Sequence, residues 1–156
     1  MEIRPYRSED LPALKQITAT CFPQVSIDRN IENRCGLIGG HDWQWRKLRH
    51  IDQDVAGPNA RHVLVGTDGG RVVGYVTTRV DQDSRIGWIP NLAVLPEYQG
   101  QGLGRQLLRA ALDHLRGQGM ECARIETLEQ NQVGWHLYPS MGFEEVARQI
   151  HYIMRL

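Results

Sequence analysis

The chain has little of what would mark several broad classes of protein. Its three cysteines, Cys21, Cys35 and Cys122, are odd in number and far apart, which argues against a disulfide framework and against zinc-ligand spacing alike. No apolar run approaches the length of a membrane span, and Met1-Glu2-Ile3-Arg4-Pro5-Tyr6 lacks the apolar core of a signal peptide. The chain therefore reads as cytoplasmic, with no membrane partner. Neither charge sign dominates, since 18 basic residues balance 18 acidic ones, so no long-range field gathers nucleic acid. The six histidines show no ligand spacing; each reads as hydrogen-bonded or solvated, and no metal is expected.

What is present suits one globular domain over residues 1–156, with 41% hydrophobic residues and length for one buried core. Residues 2–7 read as a strand, and Leu11, Leu14, Ile17 and Cys21 fall at helical spacing until Phe22-Pro23. A helix over Ile27–Arg34, a break at Gly39-Gly40 and a helix from Asp42 to Val55 follow; Trp45, Leu48, Ile51 and Val55 are its expected buried face. Two β-branched runs, 62–65 and 71–79, bracket Asp68-Gly69-Gly70, a hairpin signal. After a turn at Asp81–Ser84 come a strand from Ile86 to Val94, a strand from Cys122 to Leu128 with a buried centre, and one long or two short strands over Phe143–Leu156. This is an α/β (α+β) pattern.

The most informative stretch is Gln99-Gly100-Gln101-Gly102-Leu103-Gly104. It follows an apolar strand and opens into a helix whose apolar face is Leu103, Leu107, Leu108, Ala111, Leu112 and Leu115. A helix start leaves backbone N–H groups unpaired and carries partial positive charge, so it suits a phosphate or pyrophosphate. A nucleotide-binding Walker loop would need Lys and then Ser or Thr after the last glycine, where Arg105-Gln106 stand. A dinucleotide fingerprint would need a glycine at Arg105.

The Q-x-x-G-x-G pattern instead resembles the coenzyme A pyrophosphate signature of the GNAT superfamily of N-acetyltransferases. A second match supports the first: Asn131, then a short helix ending in Tyr138, then Gly142-Phe143, in the order and spacing of that superfamily. Within it, the segment around Glu126 resembles ribosomal-protein N-terminal acetyltransferases. The resemblance implies a GNAT fold: a central mixed sheet of six to seven strands, helices on both faces, and a bulged, splayed central strand. Pro90, which has no N–H to give a ladder, fits that bulge.

The resemblance also implies acetyl-CoA as co-substrate. Its pantetheine arm would pair with backbone groups of Leu92, Ala93 and Val94, and its pyrophosphate would sit on Gln99, Gly100, Gln101, Gly102, Leu103, Gly104 and Arg105. Asn131 would bind the arm, although capping the next helix is reason enough for it to be there. Acetyl transfer needs a neutral amine, a donor for the oxyanion and an acid for the departing thiolate. Tyr138 is the acid candidate. Glu126 is the base candidate, with a salt-bridged structural role as the alternative.

The acceptor is an amine on a small molecule or peptide. Asn91 is a candidate to face it, with a bulge-stabilising hydrogen bond as the other reading, and Trp43 and Trp45 are candidate pocket walls, with core packing as the other. The implied reaction is direct attack of a primary amine on the thioester through a tetrahedral intermediate. A non-catalytic acyl-CoA-binding sensor or regulatory module, and a transferase using another acyl-CoA donor, are the competing functions. Monomer and homodimer are both compatible with the sequence.

Overall fold

A computed structural model describes residues 1–156. The elements are β1 (Glu2–Pro5), α1 (Leu11–Cys21), α2 (Ile27–Cys35), α3 (Trp43–Asp54), β2 (Val63–Asp68), β3 (Arg71–Arg79), β4 (Ile86–Val94), α4 (Leu103–Gly117), β5 (Cys122–Arg124) and α5 (Gln132–Ser140). Strands β1 to β4 form an antiparallel meander, and β5 adds to β4 in parallel after the α4 crossover. The hairpin turn at Gly69-Gly70 has positive φ at both glycines, 54° and 84°, the turn whose twist matches paired strands.

Adjacent residues of β3 show how the layers are arranged. Gly74 leaves room for Leu107 of α4, whereas the buried Tyr75 hydroxyl meets Thr18 Oγ1 of α1 at 2.6 Å. Successive side chains of a strand point to opposite faces, so α4 covers one face of the sheet and α1 the other. The core joins Leu14 and Ile17 of α1, Ile51 of α3, Val63 to Ala93 on the sheet, and Leu103, Leu107, Leu108, Ala111 and Leu115 of α4.

The predicted bulge is present. Thr77 faces Asn91 and Arg79 faces Trp88, so β4 spends one more residue than β3 over the same interval. The extra residue lies at Ile89-Pro90, where proline has no ladder bond to lose.

Four expectations are corrected. The sheet has five strands rather than six or seven. Of the run Cys122–Leu128 only Cys122–Arg124 is strand, and its centre is not buried. β5 pairs with β4 only as far as Trp88↔Arg124, because the bulge then turns β4 away and leaves 125–128 without a ladder. Phe143–Leu156 forms no strand. The fourth correction concerns α3, whose buried residues are Trp43, Ile51 and Asp54, while Trp45 is 42% exposed. Two tryptophans two residues apart cannot share a helix face, and Trp43 takes the inner one.

Candidate active site

The glycine loop is built from its backbone. Gly100 and Gly102 have φ of 74° and 86°, a region that side chains with a Cβ rarely adopt. The space a Cβ would fill is open at Gly100, and at Gly102 holds only the Gln106 amide, 3.9 Å away. The first turn of α4, at Leu103-Gly104-Arg105, therefore presents N–H groups beside an uncluttered loop. Gln99 and Gln101 brace it: Gln99 Nε2 donates to the Val94 carbonyl at 2.8 Å, and Gln101 Nε2 to the Glu97 carbonyl at 2.9 Å. Arg105 turns its guanidinium toward α5, donating to Ser140 Oγ at 2.9 Å and reaching Met141 Sδ at 3.2 Å.

Beside the loop, β4 has an unpaired side. The Asn91 N–H reaches Thr77 Oγ1 and the Leu95 N–H reaches the Val73 carbonyl, both on β3. Ladder direction alternates along a strand, so Ala93 also faces β3 while Leu92 and Val94 turn their amides the other way, past the end of β5 pairing. Of these groups the Val94 carbonyl already accepts from Gln99 and from Cys21 Sγ, the latter at 3.3 Å. Burial pushes the Cys21 thiol up to about 11, so it keeps its proton for that bond.

Helix α5 closes the gap between the loop and β5. Its start is tied to the β5 exit: Asn131 Oδ1 caps the Gly134 N–H at 3.2 Å, and Asn131 Nδ2 donates to Thr127 Oγ1 at 2.8 Å. Its end is tied to α4 through Arg105. Between these ties the Tyr138 ring packs edge-on to Phe143, with centroids 6.1 Å apart, and its hydroxyl makes no hydrogen bond within the chain. Burial pushes that hydroxyl above the usual tyrosine range, so it holds its proton at neutral pH. Gly134 makes this packing possible, since a Cβ there would stand 2.9 Å from the Tyr138 ring and 2.7 Å from Thr127 Oγ1.

Glu126 lies two residues beyond β5. Its Oε2 accepts from Trp88 Nε1 at 2.5 Å and its Oε1 pairs with Arg124 Nη2 at 2.9 Å. The Arg124 guanidinium also lies over the Trp88 ring, 5.3 Å from its centroid. Arg79, Trp88 and Arg124 stand in register across β3, β4 and β5, and with Val80, Asp81 and Ile86 they line an open cleft of about 410 Å³.

Asn91 is buried and its side chain is fully engaged. Its Oδ1 accepts from Lys47 Nζ at 2.8 Å, and its Nδ2 donates to Asp54 Oδ2 at 2.8 Å. Asp54 Oδ1 in turn accepts from Arg79 Nη2 at 2.7 Å. This chain ties α3 to β4 at the bulge and to β3 beside it. Burial lowers the Lys47 ammonium's affinity for its proton, against the pull of Asp28 and Asp54. Trp43 is 6% exposed and presents no wall to an open cleft. Trp45 lies outside, stacked on His41 at 3.4 Å with Arg49 over its other side at 4.7 Å.

The structure thus brings Gln99–Arg105, Asn131 and Tyr138 together around one gap, and sets Glu126 two residues past the strand that borders it. Sequence reading missed Trp88, Arg124, Gly134 and the Lys47–Asn91–Asp54–Arg79 chain. Gly134, three residues after a capping Asn, had a readable signal. The others depend on register between strands distant in sequence, which no local pattern carries.

Comparisons with known proteins agree with this fold. A model of the acetyltransferase (GNAT) family matches residues 11–143. The N-alpha-acetyltransferase RimI of Mycobacterium tuberculosis is 34% identical over 143 residues, covering 87% of this chain and 84% of the relative. A mycothiol acetyltransferase of Thermobifida fusca is 34% identical over 94 residues, 56% of this chain, and the match spans only 29% of that longer protein. Among solved structures, AAC(6')-Iy in complex with the bisubstrate analogue CoA-S-monomethyl-acetylneamine superposes with a TM-score of 0.70 at 18% identity, over 99% of this chain and 98% of that one. At that identity the likeness is one of fold.

Proposed function

The chain belongs to the acetyltransferase (GNAT) family, and from that premise we propose that it transfers an acetyl group from acetyl-CoA to a primary amine by direct attack on the thioester, through a tetrahedral intermediate. The observation that carries this reading is Tyr138: a half-buried ring whose protonated hydroxyl has no partner within the chain, on the helix tied at one end to the glycine loop and at the other to the β5 exit.

Acetyl-CoA brings the activated acyl group and departs as the free thiol. The open space at Gly100 and Gly102 fits a pyrophosphate held by N–H groups at the start of α4. Leu92 and the Val94 N–H supply the unpaired strand groups for the pantetheine amides, and Asn131 and Arg105 border the same gap. Tyr138 is the proton donor to the departing sulfur. An alkyl ammonium has a pKa of about 10.4 and must lose a proton before attack; Glu126 is the acceptor of that proton, held in place by Trp88 and Arg124. Cys21 keeps its proton on the Val94 carbonyl, so it is not poised as the nucleophile of an acyl-enzyme route.

The acceptor is an amine on a peptide or small molecule. The name of the mycobacterial relative favours a peptide α-amine, and the cleft at Trp88, which opens onto solvent, is where it would enter.

The test is release of free thiol from acetyl-, succinyl- and longer acyl-CoA with a panel of peptide and small-molecule amines. Turnover with acetyl-CoA and at least one amine is the expected result. Binding of CoA without turnover for any amine would instead mark an acyl-CoA sensor, and absence of both would overturn the reading.

A further inference from the structure

The arginine that follows the glycine loop stands at the wrong end of its own helix. Arg105 lies in the first turn of α4, where the helix dipole favours an anion and disfavours a cation. Its guanidinium turns away from that end: Nη2 donates to Ser140 Oγ at 2.9 Å and Nη1 reaches Met141 Sδ at 3.2 Å. Ser140 Oγ passes the bond on, donating to the Leu137 carbonyl at 2.6 Å. The cation thus sits at the C-terminal end of α5, where the dipole of that helix favours one and its last carbonyls need donors.

Helix α5 needs such a hold. It buries only Gly134 of its nine residues, whereas α4 buries five, so packing alone fixes α5 less firmly. Pro139 interrupts its last turn, having no N–H to give the carbonyl of Trp135 four residues back. Beyond that proline the chain folds back on Tyr138, whose carbonyl accepts from the Met141 and Phe143 amides at 3.0 and 3.1 Å. The start of α5 has its own cap in Asn131. Its end, next to Tyr138, takes its charged donor from α4.

We propose that Arg105 is a positioning residue: acting through Ser140, its side chain holds the last turn of α5 and so sets where the Tyr138 hydroxyl stands in the gap, while its main-chain N–H stays with the glycine loop. One residue then links the pyrophosphate cradle to the proton donor, so that the two ends of the site keep a fixed relation. The hold itself stands on the geometry, whereas its effect on turnover rests on the acetyltransferase reading. The competing use of the same guanidinium is as a phosphate ligand. The two uses differ in what loss of Ser140 Oγ does: it releases a hold on α5, and it leaves a phosphate ligand in place.

Hydrogen exchange at the Met141, Gly142 and Phe143 amides, which bond the Tyr138 and Pro139 carbonyls, reads the hold without any turnover. Exchange there should quicken about three- to tenfold in Ser140→Ala and in Arg105→Gln, with α4 unchanged from Leu107 onward. Arg105→Lys, which keeps the charge without the fork, should recover part of the protection. In thiol release from acetyl-CoA, Ser140→Ala and Arg105→Gln should each lower kcat about tenfold and leave the Kd for CoA within about twofold. In a Tyr138→Phe background neither should lower kcat further, because the residue they position is already lost. Unchanged exchange overturns the proposal. So does a raised Kd for CoA confined to Arg105→Gln, which marks a phosphate ligand, or a loss of kcat that persists undiminished in the Tyr138→Phe background. If the unaltered chain acetylates no amine, the acetyltransferase reading fails, and exchange alone still decides whether Arg105 holds α5.

Discussion

Trp88 Nε1 donates to Glu126 Oε2 at 2.5 Å from the last rung that β4 shares with β5. The bond spans the place where the two strands part, so it fixes a carboxylate at the vertex of the gap. Arg124 holds the other oxygen.

If Glu126 accepts the amine proton, Glu126→Gln lowers kcat/KM by about 10²–10⁴. Trp88→Phe keeps an aromatic ring beneath Arg124 and removes the N–H donor alone; it should lower kcat/KM about tenfold. Both residues are exposed, so Tm should stay nearly unchanged. An unaltered kcat/KM in Trp88→Phe would count against a positioning role.

Tyr138→Phe should cost roughly 10²–10⁴ in kcat and leave the Kd for CoA within about twofold. Gly134→Ala reaches the same residue through packing, because its Cβ meets Thr127 Oγ1 at 2.7 Å and the Tyr138 ring at 2.9 Å. Overpacking of this kind costs about 1–3 kcal/mol, so here a lower Tm should accompany the lost turnover. Calorimetry beside the thiol-release assay separates the two variants.

Asp54 is 4% exposed and accepts from Asn91 and Arg79 together. Asp54→Ala leaves the buried Asn91 amide without its acceptor, while the Arg79 guanidinium, 32% exposed, can turn to water. A stranded buried donor costs about 1–3 kcal/mol, a fall in Tm of roughly 2–12 °C for a domain of this length. Thermal unfolding at neutral pH reads this directly. A fall under about 2 °C would mean that the bulge at β4 is held without this chain of bonds.

His62 Nδ1 and His114 Nε2 lie 2.9 Å apart between the turn before β2 and helix α4. Burial lowers both rings' affinity for protons, and at His62 the neighbouring His114, Arg61 and Arg79 add to it. The unfolded chain, with histidine pKa near 6.5, then binds more protons than the folded one as pH falls through that value. Stability is therefore full above about pH 6.5 and declines below it. The Tm measured from pH 7.5 to 5 should fall, and His114→Gln should flatten the slope; an equal slope in the variant would remove the pair as its cause.

Much of the path to the site was readable because it is written in local chemistry. Gly100 and Gly102 stand where φ is positive, Asn131 caps α5, and Leu103, Leu107, Leu108, Ala111 and Leu115 form the buried face of α4. The alternation of 146–156 was readable too, but alternation states which residues share a face and not what they pair with. The expected strand there is an unpaired segment in the single chain. Trp45 illustrates another limit: either tryptophan of α3 suits an apolar face at helical spacing, and only packing against the sheet selects Trp43.

By itself the sequence determined the helices and the first four strands, the glycine loop, the proline that interrupts β4 and the two-part signature of the GNAT family, since each depends on residues within a turn or two of one another. Tertiary structure alone decided that Trp88 and Arg124 grip Glu126, that Asn91 is consumed by Lys47 and Asp54, and that β5 is left with an open edge. Those outcomes depend on register and crossover between segments tens of residues apart, where one residue of slip would turn every side chain to the other face.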